Sequence, residues 1–369
     1  MRITGLEARR YTIPLDPPFN AAWDPQPRER FEDTIVIVDT DSGVRGYAGG
    51  APVPDLKLLE SLLVGSDLGD TRHVFEVCRT VDFHHGRNWT VEIAVHDALA
   101  RANEQPLWKL LGGSREAYPA YASTGERLVA EARVERTLRW REQGIRAIKV
   151  RFTSNNWGDD MMLVESIRAA VGDSMEIMVD ANQAWRMPGD TAEPWTLSSA
   201  TACAAALAEL DVYWLEEPLP TDAVDDYIEL RNRSTVRIAG GEMVRTLAES
   251  RKLVSSGAFD IVQNDVVLAG GVSGARAVAR WAEQAGAVWS PHTWTSGLGL
   301  LANLHAALAW STGEFIEVPY DPPAWTPERR DFTLPEPVPI GEGGTIAPPP
   351  GAGLGVEPDL GALERWRVG

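Results

Sequence analysis

Cysteine is nearly absent: Cys78 and Cys203 are the only two in 369 residues. They stand far apart, without zinc spacing or a disulfide framework, so ordinary buried thiols in a reducing compartment are expected. Positive charge is scarce too. Asp and Glu number 53 against 35 Lys and Arg, a net charge of −18, which argues against nucleic acid or anionic membrane as a partner. An anionic ligand must then be drawn in by a local cationic spot. No run approaches the ~18 apolar residues of a membrane helix, and Met1-Arg2-Ile3-Thr4-Gly5 lacks the apolar core of a signal peptide. A soluble, cytoplasmic protein is expected. Histidine is sparse, and His73, His84, His85, His96 and His305 are read as structural. Apolar residues are plentiful, at 44% enough for a full core.

From Ile148 to Glu317, short apolar runs recur, each ending in a polar residue that chemistry can use. Ile148-Lys149-Val150-Arg151 carries two cations, Met178-Val179-Asp180 and Trp214-Leu215-Glu216 end in carboxylates, and Ala239-Gly240-Gly241-Glu242 adds a third. Asn264-Asp265, Pro291-His292 and Ile316-Glu317 follow. Segments of helical period lie between them, so the stretch reads as repeated βα units around a parallel sheet. The pacing suits a (β/α)8 TIM barrel, whose strand C-termini meet at one mouth. Before it, a β-rich stretch with strand candidates at 3–15, 33–40 and 44–50 precedes helical segments at 56–64, 71–80 and 91–101. That order predicts an α+β domain ending near 114–118. The proline-rich residues 319–350 read as an irregular tail that packs back onto it. Between the first two strands, Pro17 to Arg30 reads as a loop.

Asp180, Glu216 and Glu242 close successive predicted strands. Any one of them could simply cap the next helix. Three in register suit Mg²⁺, which takes a few hard carboxylate oxygens and leaves room for water or substrate, and the lack of Cys or His ligands disfavours zinc. Neighbours on a strand face opposite ways, so Glu216 points at the metal and Glu217 is an outer or helix-start acid. Asp265 and His292 can meet across adjacent strand ends, an arrangement that makes His an acid or base near neutral pH. Lys149 and Arg151 share one strand face. Mutual repulsion of the two cations lowers pKa, which would leave Lys149 able to act as a base, while Arg151 stays charged.

These motifs, with Asp180-Ala181-Asn182-Gln183-Ala184-Trp185, Glu216-Glu217-Pro218 and Leu110-Leu111-Gly112-Gly113, resemble the enolase superfamily in its mandelate racemase subgroup over essentially the whole chain. The resemblance implies a modified barrel over 118–319, under a capping domain of residues 1–117 completed by the tail 320–369. It implies Mg²⁺ on Asp180, Glu216 and Glu242, an Asp265–His292 dyad, Glu317 bonding the substrate carboxylate, and Asn182 as a polar group near the metal. The shared chemistry is removal of the proton α to a carboxylate, giving an enediolate stabilised by the metal. A symmetric homo-oligomer, often of eight, is implied as well.

One departure matters. The subgroup usually has Lys at both ends of the motif that here reads Lys149-Val150-Arg151. With a guanidinium pKa above ~12, Arg151 is a clamp rather than a base, which disfavours two-base racemisation. One-sided chemistry through His292 remains: dehydration of an acid sugar to a 2-keto-3-deoxy acid, with Lys149 as an alternative base. A racemase or epimerase, a barrel that binds a carboxylate without turnover, and an unrelated metal hydrolase are the other readings. Specificity is expected from cover loops carrying Phe19, Asn20, Trp23 and Arg28, and residues 49–54. Trp185 and Trp294 are expected to wall the pocket, and His84, His85, Arg87 and Trp89 either reach the mouth or sit at a surface helix start.

Overall fold

The computed structural model describes every residue except 154 and 155. Its N-terminal part is an antiparallel sheet of β1 (Ile3–Phe19), β2 (Arg28–Thr40) and β3 (Arg45–Ala48). Strand β1 runs further than its prolines suggest. Beyond a register shift after Pro14, Phe19 still pairs with Arg28, which shortens the cover loop to 20–27. An edge strand tolerates proline because its outer side needs no ladder hydrogen bonds.

Helices α1 (Leu56–Leu63), α2 (Thr71–His85) and α3 (Trp89–Ala102) follow. Helix α3 is buried along nearly its whole length and lies hard against β3. A Cβ on Gly46 would stand 2.0 Å from the Ala94 carbonyl oxygen, so only glycine admits the helix backbone there. A short helix α4 (Leu107–Leu110) leads into the barrel.

The barrel strands are β4 (Tyr118–Ser123), β5 (Ala147–Arg151), β6 (Glu176–Asp180), β7 (Trp214–Glu216), β8 (Arg237–Gly240), β9 (Ile261–Val262), β10 (Val288–Trp289) and β11 (Ile316–Pro319). All are parallel, in the order β10-β9-β8-β7-β6-β5-β4-β11. Helices α5 (Ala130–Glu142), α6 (Gly158–Val171), α7 (Leu197–Ala208), α8 (Val224–Arg233), α9 (Leu247–Ser256), α10 (Gly271–Gln284) and α11 (Gly297–Trp310) connect them. After β11 the chain makes one helical turn, Pro327–Arg330, where a regular barrel would place its eighth helix. This is the modified TIM barrel.

Between β10 and β11 no backbone ladder forms among the described residues. Side chains bridge that seam instead: Ser290 Oγ donates to Phe315 O (2.9 Å) and Thr293 Oγ1 to Glu317 O (2.8 Å).

Strand β5 is buried at every position, which is why it shows no polar alternation. Inside the ring, Tyr121, Met178, Trp214 and Ile261 pack with Ala147 and Ala239, large beside small, and fill the floor below the mouth. The tail returns to the N-terminal part: Val368 N donates to Arg10 O (2.9 Å) and Gly353 N to Gln105 O (2.9 Å). Buried Asp97 on α3 accepts from Tyr47 N (2.8 Å) and from Leu354 N (2.6 Å), tying sheet, helix and tail together. Glu92, one turn earlier, accepts from Val272 N (2.8 Å) and Ser273 N (3.1 Å) and so caps barrel helix α10. No helix among the described residues is long and apolar enough to cross a membrane.

Candidate active site

Strands β6, β7 and β8 end side by side, and their terminal carboxylates converge. Asp180, Glu216 and Glu242 are buried and offer one oxygen each, all within 4.8 Å of one another. Glu242 sits two residues beyond the end of β8 rather than on it, after Gly241 at φ +93° turns the chain. Only glycine adopts that conformation without strain. Asn182 (φ +48°) and Glu217 (φ +46°) are left-handed as well, backbone strain of a kind that clusters at functional sites.

The three carboxylates suit a hard dication. Burial and then Asp180 push the Glu216 pKa up to about 8, even with Lys149 beside it. Glu242 is raised by burial too, and its Oε2 has no hydrogen-bond partner. A bare buried carboxylate oxygen facing two further acids is what an oxygen-ligated cation would complete. Most other oxygens are taken: Trp214 Nε1 donates to Glu216 Oε2 (3.0 Å), Asn182 N to Asp180 Oδ1 (2.8 Å) and Trp185 Nε1 to Glu242 Oε1 (3.0 Å). Glu217 stays outside the cluster. It is fully buried, neither of its oxygens has a partner, and burial with Glu242 and Asp180 raises its pKa well above the usual range.

Across the mouth, His292 Nδ1 lies 2.9 Å from Asp265 Oδ2. Asp265 is itself fixed by Asn303 Nδ2 (2.9 Å) and Val267 N (2.7 Å) on its other oxygen. This leaves Nε2 of His292 toward the carboxylates, 3.6 Å from Glu242 Oε2. Burial alone would lower the His292 pKa, but Glu242, Glu317 and Asp265 outweigh it and raise it to about 9. A cation on Glu242 would spend part of that pull and free the imidazole to act as a base.

Lys149 departs from the sequence expectation of a neutral amine. It is fully buried and ion-paired with Glu216, with Glu317 at 2.9 Å and with Asp180 at 3.6 Å. Burial disfavours its charge, but Glu216 and Glu317 override burial and the repulsion of Arg151, and raise its pKa. It holds its proton. Arg151 is held as firmly. Its Nη1 pairs with Asp180 and lies 3.3 Å from Asn182 Oδ1, while Nε donates to Thr124 O at 3.0 Å. Its guanidinium also lies over Trp23 (4.6 Å) and Trp294 (5.7 Å).

Glu317 accepts from Ser123 Oγ (2.7 Å) and Thr293 N (2.7 Å) as well as from Lys149. Burial would raise its pKa, yet Lys149, His292 and Arg151 bring it down to about 2. It thereby ties together the ends of β4, β5 and β11 and the turn after β10.

Trp294 donates to Ser123 Oγ (2.9 Å) and meets Trp23 edge-on, ring centres 4.7 Å apart. Phe19 stacks on Trp294 (5.9 Å). Asn20 is exposed and is not brought into this cluster. His84 and His85 are exposed at the end of α2, and Trp89 is buried against Phe75. Sequence reasoning passed over Gly125, on which a Cβ would stand 2.6 Å from Phe19 and 2.8 Å from Trp294, and Ser123, shared by Arg151, Glu317 and Trp294. The short run Tyr118-Pro119-Ala120-Tyr121-Ala122-Ser123 ahead of Thr124-Gly125 was the available signal, and it was not read as a strand. Both thiols are free and buried, and burial raises their pKa, to about 12 for Cys203.

A family model described as Enolase C-terminal domain-like matches residues 130–362. An arabinonate dehydratase of Saccharolobus solfataricus is 27% identical over 89% of this chain and 89% of its own. A 3,6-anhydro-alpha-L-galactonate cycloisomerase of Streptomyces coelicolor is 31% identical over 68% of this chain and 71% of its own. The crystal structure of a racemase from Streptomyces coelicolor A3(2) with bound magnesium superposes with a TM-score of 0.85 at 25% identity, covering 99% of this chain and 100% of that one.

Proposed function

Because the chain belongs to the enolase superfamily, among its mandelate racemase-like enzymes, we propose that it is a Mg²⁺-dependent lyase that dehydrates an acid sugar to a 2-keto-3-deoxy acid. Held by Asp180, Glu216 and Glu242, Mg²⁺ would supply the positive charge that a carboxylate needs as its α-carbon loses a proton. His292 Nε2 takes that proton while Asp265 keeps the ring oriented through Nδ1. The same nitrogen then gives the proton to the departing β-hydroxyl. The α C–H and β C–O bonds break, water leaves, and the enol tautomerises to the 2-keto acid. Lys149 stays protonated and balances the carboxylates around it.

The observation that carries this reading is the state of Arg151. Racemisation needs a proton carrier on each face of the α-carbon. On the β5 side stand only an ammonium locked among three carboxylates and a guanidinium clamped between Asp180 and two tryptophans. One working acid–base group suits elimination. The dehydratase relative supports the same reaction class.

The test is incubation with Mg²⁺ and a panel of acid sugars in D₂O. Release of a keto acid is expected, and α-deuteration without loss of a hydroxyl would make the enzyme an isomerase instead. His292→Asn should cut turnover by about 10²–10⁴-fold, the usual weight of a general acid–base group. Retention of more than a tenth of wild-type turnover would remove His292 from its role.

A further inference from the structure

A cavity of about 440 Å³ opens between the cover loop and residues 181–192, and the acid–base step at His292 makes no use of it. It borders the reacting centre through Asn182 and Trp185, the first bonded to Arg151 and the second to Glu242. Asn182 is only 8% exposed, and its Nδ2 is a buried donor with no partner. Such a group is costly unless a ligand satisfies it.

The charges on the wall are unequal. Arg186 is occupied: Nη1 donates to Asn182 O (2.8 Å), Nη2 to Gln183 Oε1 (2.8 Å), and Asp190 lies 3.7 Å from Nε. Arg127 makes one hydrogen bond, from Nη2 to Ala22 O (2.7 Å), and no ion pair among the described residues. Among the described residues, the rim of the cavity therefore keeps one guanidinium that is exposed and has no acidic partner, in a protein of net charge −18. Its loop is tied down at the base, where Asp321 accepts from Gly125 N (3.0 Å) and Glu126 N (2.8 Å) and pairs with Arg133 (2.6 Å). Trp23 supplies an aromatic wall between this cation and Arg151.

Resting on the dehydratase reading, we infer that this cavity is a distal subsite and that the substrate is a sugar diacid. Its far carboxylate pairs with Arg127, a hydroxyl between the two ends accepts from Asn182 Nδ2, and the carbon chain lies along Trp23. A free guanidinium suits a terminal carboxylate, which it can bind through two parallel hydrogen bonds, better than the neutral end of a monoacid.

The experiment uses the full chain with Mg²⁺ and compares galactarate and glucarate with galactonate and gluconate. The diacids should show the higher kcat/KM. Arg127→Gln should reduce the diacid-to-monoacid selectivity by about 10–100-fold, the weight of hydrogen bonds to a charged group, chiefly through KM, and Arg127→Lys should restore part of it. Equal losses on both acid types would mean that Arg127 only pins the cover loop through Ala22, and the subsite would be refuted. Equilibrium binding of the same acids, followed by tryptophan fluorescence, separates this inference from the reaction assignment. Tighter diacid binding that Arg127→Gln erases upholds the subsite even if no elimination occurs. Dehydration of monoacids with no difference in binding refutes the subsite and leaves the dehydratase standing.

Discussion

Trp185 donates its indole N–H to one oxygen of Glu242 and leaves the other bare. That fixes which oxygen is free to meet a cation before any cation arrives, and groups that orient a ligand from behind typically carry 10–100-fold in affinity. Trp185→Phe keeps the ring and loses the donor. It should weaken Mg²⁺ binding by about 10–100-fold in a calorimetric titration, and an unchanged affinity would mean that Glu242 needs no such help. At this scale the sequence was readable where a chemically apt residue closes an apolar run, as for Asp180 and Glu216 at the ends of β6 and β7, or follows a strand by three residues, as for Asp265 and His292. It misled where the sum of charges decides. Two neighbouring cations suggested a depressed Lys149, but carboxylates from β6, β7 and β11 converge on it and reverse the sign. Those partners come from strands remote in the chain, and only the closed ring counts them.

His305 shows the same dependence one level up, where α11 packs against α4. The fully buried imidazole accepts from Trp108 N at Nδ1 (3.0 Å), so a proton there would oppose a backbone N–H. Burial lowers its pKa to about 4. In the unfolded chain its pKa is about 6.5, so the unfolded state binds the proton first as pH falls. The neutral His305 therefore costs nothing above pH ~6.5, and stability is lost between there and pH ~4, by about 3 kcal/mol at about 1.4 per unit. Urea unfolding of wild type and His305→Gln should show the wild type losing that much more over this window, and parallel curves would contradict the assignment. Among the elements, β4 went unread, while the barrel strands β5 to β11 were legible from their apolar runs. The extent of β1 was not, because a proline-bearing edge strand and a loop look alike until a partner is known.

For the molecule as a whole, the charge of −18 opposes the approach of an anionic substrate, while Arg127 and the site's own cations act at close range. Salt separates the two, since the screening length shrinks from about 30 Å at 0.01 M to about 8 Å at 0.15 M, while the buried Lys149 and Arg151 barely notice. Raising salt over this range should increase kcat/KM for an acid sugar, read from initial rates far below KM. A decrease would mean that the cationic mouth, rather than the acidic envelope, governs entry. The fold itself was largely legible from the order of strands and helices. How its parts grip one another was not, since a buried acid such as Glu92 reads as one more helical glutamate.

That grip bears on how such enzymes can be recombined. Gly271, at φ +60°, lies so close to Glu92 that a Cβ would stand 2.3 Å from the carboxylate, and the same carboxylate receives the first amides of α10. A lid borrowed from a relative to change selectivity must therefore bring an acid to position 92 and meet a glycine at 271. A chimera assembled without that match would leave the start of a barrel helix unsatisfied beneath its new cover, and the exchange would weaken the scaffold before it altered the chemistry.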